Sequence, residues 1–246
     1  MHPVLFEIAG RQVASFGVML TVGVLVGIWL SLAAFERAGL DSRRGLFVMM
    51  ASVVVAVVAS RAWWALEMVA RNEDLTLADV GSLMVAPEGG LTWYGALLGA
   101  LTVGVIGGWI TGIPIRPGLD AVAPGVAFGQ AIGRLGCFMV GDDYGRVTDS
   151  WVGIAFPEGV PPTVAPVHTT QLYEMVWLLG VGAWLWKRKA TSSSAFAEYL
   201  MLAGAGRFLI ELFRTNPAVA GPFSNAQVVA MVAVGVGAWL RAGRPT

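Results

Sequence analysis

The sequence predicts an all-α polytopic membrane protein with about seven transmembrane helices, its N-terminus outside, its C-terminus cytoplasmic and a small periplasmic cap. Three observations carry that prediction. Charged residues are 13% of the 246 residues and hydrophobic ones 56%, whereas soluble domains carry about 25% charged residues. Seven apolar runs each approach the roughly 20 residues that a helix needs to cross a bilayer. The lysines and arginines between those runs fall mostly on one side of the membrane that the runs define.

The runs lie at about 13–35, 46–69, 91–113, 119–140, 170–187, 196–214 and 223–240. The first is uncharged from Gln12 to Phe35 and has no basic segment before it, so it is expected as a retained helix and not as a cleaved signal peptide. The third and seventh are the clearest, with no charge between Glu88 and Arg116 or between Arg214 and Arg241. The second, fourth, fifth and sixth contain charges. With the N-terminus outside, the cytoplasmic segments hold Arg37, Arg43, Arg44, Arg116, Lys187, Arg188, Lys189, Arg241 and Arg244, and the outer segments hold Arg11, Arg71, Arg146 and Arg214. That asymmetry fits the positive-inside rule. The remaining cations, Arg61, Arg134 and Arg207, fall inside apolar runs.

Between the spans, residues 71–90 place Leu75, Leu77, Val80, Leu83 and Met84 among polar residues, a pattern for a short interfacial amphipathic helix. Residues 141–169, rich in Gly, Pro and Asp, form the outer cap segment. Residues 190–196 read as a cytoplasmic linker. The whole chain, 1–246, is expected to be one integral-membrane domain. A formal net charge of zero gives no global basic field for nucleic acid. Cys137 is the only cysteine and the histidines are His2 and His168, so no disulfide, metal site or cofactor is expected. No internal repeat is visible, which weighs against transporter folds built from inverted repeats.

The charges inside the spans are the candidate functional residues, because lipid taxes an unpaired charge by a few kcal/mol or more. Arg134 lies in the glycine-framed stretch Gly133-Arg134-Leu135-Gly136 and is followed by Asp142 and Asp143. It reads either as a structural ion pair or as a planar fork for two phosphate oxygens. Arg207, Glu211 and Arg214 stand at i, i+4 and i+7, one face of a predicted helix. They read as a structural pair with a snorkelling arginine or as a phosphate-binding face. Gly89 to Ala100 opens the third span; Gly95 and Gly99, one turn apart, suit helix packing, and Tyr94 can instead aim its hydroxyl into a site. His168-Thr169-Thr170-Gln171-Leu172-Tyr173-Glu174 opens the fifth span; Thr169 or Thr170 is a candidate cap, and Glu174 a candidate partner for an arginine. Asp120 reads as a carboxylate at a helix start, and Cys137 as a small buried hydrophobe.

These segments, taken in order, resemble the prolipoprotein diacylglyceryl transferase family. Gly133 to Gly145 resembles its signature G-R-x-G-N-F-x-N-G-E-x-x-G. Ser60-Arg61 resembles its Gly-Ala-Arg, Gly89 to Gly99 its Gly-Gly-x-x-x-His-Gly-Gly-x-x-Gly, and His168 to Glu174 its His-Pro-x-Gln-Leu-Tyr-Glu. Arg207-Phe208-x-x-Glu211-x-x-Arg214 resembles its C-terminal Arg-Phe-x-x-Glu-x-x-Arg. The resemblance implies transfer of a diacylglyceryl group from phosphatidylglycerol to the lipobox cysteine thiol of a prolipoprotein, in a bacterial cytoplasmic membrane, with a thioether formed and glycerol-1-phosphate released. It further implies Arg134, Arg207, Tyr94 and Glu211 as catalytic residues. Arg61, Arg214, Asp142, Gly133, Gly136, Gly145, His168, Gln171, Tyr173 and Glu174 follow as substrate-binding residues, with the prolipoprotein signal peptide as partner. The chain departs from the pattern at Phe16 for tyrosine, Tyr94 for histidine, Cys137 and Val140 for asparagines, Asp142 for glutamate and Thr169 for proline. The arginine–carboxylate frame is therefore better retained than the hydrogen-bonding groups. The alternatives are a catalytically altered or inactive homologue that binds anionic phospholipid and a transporter or flippase with the same cationic cavity.

Overall fold

The computed structural model describes residues 2–8, 11–72, 74–86, 89–188 and 194–243. In chain order the elements are strands β1 (Val4–Ile8) and β2 (Arg11–Ala14), helices α1 (Ser15–Arg37) and α2 (Ser42–Arg71), and a 3-10 turn (Leu77–Asp79) leading into α3 (Val80–Val85). Then come α4 (Trp93–Thr111), α5 (Ile115–Val140), strands β3 (Ile154–Phe156) and β4 (Thr163–Val167), α6 (Thr170–Lys187) and α7 (Ala195–Glu211). Strands β5 (Ala218–Ala220) and β6 (Phe223–Ser224) and helix α8 (Asn225–Ala242) follow. The strands form three separate antiparallel hairpins, so the chain is helical with short β ornaments at helix ends. Among the described residues four helices, α1, α2, α4 and α8, are long and apolar enough to cross a membrane. Their outward residues, among them Leu25, Trp29, Val54, Val57, Trp109, Ile110, Val232 and Trp239, are exposed, a surface that lipid and not water would cover. The chain is a multi-pass membrane protein.

The chain divides into two compact units, one of Met1–Ala38 with Leu119–Thr246 and one of Gly39–Gly118. Each is held by close helix contacts. Between helices in lipid, association relies on packing and polar contacts, not on burial from water, so small residues let backbones approach. In the first unit Gly23 and Gly27 of α1 face Gly129 and Gly125 of α5; a Cβ on Gly23 would stand 2.6 Å from the Gly129 carbonyl. In the second, a Cβ on Gly99 of α4 would stand 2.9 Å from the Val55 carbonyl of α2. The predicted packing role of Gly95 and Gly99 is what the fold uses.

Polar side chains stitch the first unit. Asp120 accepts the backbone N–H of Phe196 at 2.8 Å, so it satisfies an orphan donor at the start of α7. Buried Glu198 ties Arg188 and Arg241 to α7, each at 3.1 Å. The Tyr199 hydroxyl donates to Gln130 at 2.9 Å. In the second unit the predicted interfacial segment is the 3-10 turn plus α3. The Asp79 carboxylate closes its start by accepting from the Thr76 backbone and hydroxyl, both at 2.8 Å. Those bonds hold the Asp79 carboxyl below its usual range. Residues 190–193 of the expected linker, together with Glu88, Lys189 and Arg244, lie outside the described residues.

Candidate active site

The site grows from the end of α5. Gly141, with φ +75°, stops the helix in the left-handed conformation and donates to the Cys137 carbonyl at 2.8 Å, a common way to end a helix. Asp143 is also left-handed, at φ +59°. These two turns bring the loop back over the helix it has left, and the Asp143 carboxylate meets Arg134 nearly two turns below the helix end. The loop is pinned from α6 and the far end of α7. The Thr170 hydroxyl donates to the Asp143 carbonyl at 2.7 Å, and Gln171 donates to the Asp142 carbonyl. Gly145 N–H donates to the His168 carbonyl and Arg146 N–H to the Phe213 carbonyl, both at 2.8 Å. Threonine 170, buried completely, thus spends its hydroxyl on the loop, and neither it nor Thr169 caps α6 by a side chain.

Six charged side chains then form a closed ring of alternating sign. Arg134 Nη1 lies 2.8 Å from Asp143 Oδ2, and its Nε lies 3.2 Å from Glu174 Oε2. The same Glu174 oxygen is 3.8 Å from Arg207 Nη1, and Arg207 Nη2 is 2.9 Å from Glu211 Oε2. Glu211 Oε2 is 3.7 Å from Arg214 Nε, and Arg214 Nη2 closes the ring on Asp143 Oδ1. Glu211 is also fixed by the Ser224 hydroxyl at 2.6 Å and the Asn216 amide at 2.7 Å. Two buried donors of the ring, Arg207 Nη1 and Arg214 Nε, make no hydrogen bond among the described residues. Guanidinium donors in a shielded setting with spare capacity are suited to an incoming anion with several oxygens.

The ring corrects two sequence expectations. Helix α7 ends at Glu211, and Arg214 lies beyond it in a turn whose N–H bonds the Glu211 carbonyl at 3.0 Å. Arg207, Glu211 and Arg214 are therefore not three residues on one helical face. The Phe213 carbonyl pairs with the Arg146 N–H of the cap segment, which draws the chain out of the helix. Second, the carboxylate that reaches the arginines is Asp143, not Asp142. Asp142 forms no ion pair among the described residues and leaves a buried oxygen without a hydrogen bond. Burial, with the neighbouring Asp143 charge, pushes the Asp142 carboxyl up. Burial would raise Asp143 too, but the Arg214 hydrogen bond and the charges of Arg214 and Arg134 outweigh it and hold that carboxyl at about 2. The pairing of Arg134 with a following aspartate was legible; which aspartate was not.

The other expected residues fall into place around the ring or apart from it. Glu174 pairs with both Arg134 and Arg207. His168 Nδ1 is 3.1 Å from the Tyr173 hydroxyl, and both rings pack on Phe213. Gln171 is buried at the loop, and Gly145 lies against the Phe213 carbonyl and Thr170. Gly136 packs on Phe16 and Met19 of α1, while Gly133 has open space beside it. Tyr94 and Arg61 belong to the second unit. Tyr94 packs between Trp63 and Trp93, with ring centroids 6.3 and 5.6 Å away. Arg61 was expected among the substrate-binding residues. Its guanidinium donates to the carbonyls of Met84 and Leu83 at 3.0 Å, Gly90 at 3.4 Å and Ala86, so it closes the C-terminal end of α3 and stacks over Trp64. Cys137 Sγ and the Asp142 and Asp143 carboxylates lie within 4.8 Å of one another, but Arg134 and Arg214 already neutralise Asp143, which disfavours a cation there.

The fold and the ring together define a multi-pass membrane protein with a shielded cluster of arginines and carboxylates. The family model described as prolipoprotein diacylglyceryl transferase matches residues 3–242. Among curated relatives named phosphatidylglycerol–prolipoprotein diacylglyceryl transferase, one from Thermosynechococcus vestitus is 31% identical over 233 residues, covering 91% of this chain and 85% of the relative. One from Vibrio vulnificus is 34% identical over 231 residues, covering 92% and 83%. One from Clostridioides difficile is 27% identical over 237 residues, covering 95% and 92%. The chain belongs to the prolipoprotein diacylglyceryl transferase family.

Proposed function

We propose that this protein transfers the diacylglyceryl group of phosphatidylglycerol to the thiol of the lipobox cysteine in a prolipoprotein signal peptide. The observation that carries this reading is the ring in which Arg134, Arg207 and Arg214 converge, in a chain whose family match spans nearly its whole length. The thiol sulfur forms a bond to the glyceryl carbon that bears the phosphate ester. The carbon–oxygen bond to phosphate breaks, its electron pair leaves with glycerol-1-phosphate, and the thiol proton passes to a base. The barrier lies in charge that gathers on the departing phosphate. Preorganised guanidinium donors in a water-poor site stabilise that charge most effectively, and Arg134 and Arg207 are assigned to it, with Arg214 beside them. Glu211 and Glu174 hold the arginines in place. Tyr94 stands where the family pattern has histidine and keeps its catalytic assignment by that correspondence. His168, Gln171, Tyr173 and the glycines at 133, 136 and 145 shape the neighbourhood of the headgroup.

The same reading takes the seven predicted spans as crossing a bacterial cytoplasmic membrane in one integral domain, with the N-terminus and residues 141–169 outside and the C-terminus in the cytoplasm. The cationic distribution supports it. A reconstituted assay tests the function: purified protein, phosphatidylglycerol and a lipobox peptide, with the peptide's mass followed over time. A diacylglyceryl adduct that disappears when the peptide cysteine becomes serine is the expected result. No adduct beside an active control enzyme would overturn it.

A further inference from the structure

We infer that Asp143 is an internal stand-in for the lipid phosphate, a carboxylate that occupies the anion position between Arg134 and Arg214 and is displaced when the headgroup binds. The geometry carries this. Each carboxylate oxygen takes a different arginine, Oδ2 on Arg134 and Oδ1 on Arg214, as two non-bridging oxygens of a phosphodiester would. The three carboxylates of the ring are unequal. The side chains of Glu174 and Glu211 are 11% and 2% exposed, and that of Asp143 is 42% exposed. Glu211 has four partners that fix it; Asp143 has only the arginines for its carboxylate among the described residues, and solvent access on the other side. Its backbone, by contrast, is held, because the Thr170 hydroxyl bonds its carbonyl. Rotation of one side chain therefore opens the position without moving the loop.

Charge balance agrees. With Asp143 swung away, three arginines face two carboxylates, and the single remaining positive charge is what a phosphodiester monoanion neutralises. The exchange swaps one monoanion for another, so the low-dielectric ring never holds a large net charge, which would be costly. The low proton affinity of the Asp143 carboxyl keeps it anionic, and so competitive, at any physiological pH. The family signature quoted above leaves this position open. It rests on the transferase reading only for the identity of the lipid.

The test measures binding of dihexanoyl phosphatidylglycerol, with dihexanoyl phosphatidylcholine as control, to the full chain in detergent and to Asp143→Asn and Asp143→Gly. Asparagine and glycine both accept left-handed backbone. Removing a competing charge-assisted contact is expected to tighten phosphatidylglycerol binding about tenfold or more in both variants, with the phosphatidylcholine signal unchanged. Equal or weaker binding in both overturns the inference. Should neither variant fold, aspartate-labelled wild-type protein is read directly. A lipid-dependent change in one carboxylate's infrared band supports displacement, and an unchanged spectrum at saturating lipid overturns it. Turnover on the lipobox peptide separates the two readings. Wild-type protein without turnover but with tighter binding in the variants removes the transferase and keeps the stand-in. Turnover with unaltered variant affinity does the reverse.

Discussion

Two part-buried cationic sites in this protein are built in opposite ways. In the first unit, Arg134, Arg207 and Arg214 are held by the carboxylates of Glu174, Glu211 and Asp143. In the second, Arg61 is held by four backbone carbonyls at the end of α3 and the start of the loop before α4. A carboxylate on a side chain can rotate away and give its place to another anion. A carbonyl is fixed by the backbone and carries no full charge to exchange. The first arrangement suits a binding site; the second is a clasp that satisfies carbonyls which a short helix leaves unpaired. Sequence position alone made Arg61 and Arg134 look alike, each an arginine in an apolar run.

The contrast can be broken by experiment. The largest expected effect is on stability at the centre of the ring. Glu211→Ala strands Arg207 and Arg214 together with Ser224 and Asn216, and loss of one partner from a buried pair costs about 3–5 kcal/mol; denaturant or thermal unfolding in detergent reads it. Next comes chemistry: Arg134→Ala or Arg207→Ala is expected to lower lipidation about 100- to 1000-fold in protein that still folds, the usual scale for one lost transition-state donor. Unchanged turnover in both variants would remove the phosphate role from the ring. Arg61→Met should act on the clasp instead, costing about 1–3 kcal/mol through unsatisfied carbonyls and raising hydrogen exchange near residues 83–90, with lipid affinity where it was. If it weakens lipid binding as the ring variants do, the distinction between the two sites fails.

The smallest effect is a pH dependence. The Asp143 carboxyl, at about 2 in the fold against an ordinary 3.8, stabilises the protein above about pH 4, and that contribution is lost as the pH falls through about 2. With the side chain 42% exposed, screening reduces the effect to about 1 kcal/mol. Melting temperatures of wild type and Asp143→Asn should therefore draw together as the solution is acidified from pH 5 toward pH 2.

Much of this was legible before any coordinates. A helix occupies each of the seven apolar runs, and four of these helices are long and apolar enough to cross a membrane among the described residues, because length and apolarity are local properties. Gly95 and Gly99 announced their packing face by a one-turn spacing, and Arg134, Arg207, Glu174 and Glu211 announced themselves as charges that lipid would not tolerate alone. The in-order motifs pointed to the family that the comparisons establish. What the pattern misplaced was partnership. Asp142 and Asp143 are adjacent, and only the two left-handed turns at Gly141 and Asp143 decide which carboxylate turns toward Arg134. Asp120 read as a carboxylate at a helix start, and the pattern gave no sign that it also accepts the Phe196 N–H at the start of α7.

The sequence by itself determined which stretches are apolar and helical, where small residues let helices approach, and which charges need company. The tertiary structure alone decided who keeps that company: that α7 stops at Glu211 so that Arg214 can turn onto Asp143, that Arg61 spends itself on carbonyls, and that six charges separated by up to 80 positions close into one ring. Helical period and hydropathy are set by near neighbours in the chain. An ion pair between segments depends on packing, on the exit angle of each helix and on which backbone groups remain unpaired, and these exist only once the chain is folded.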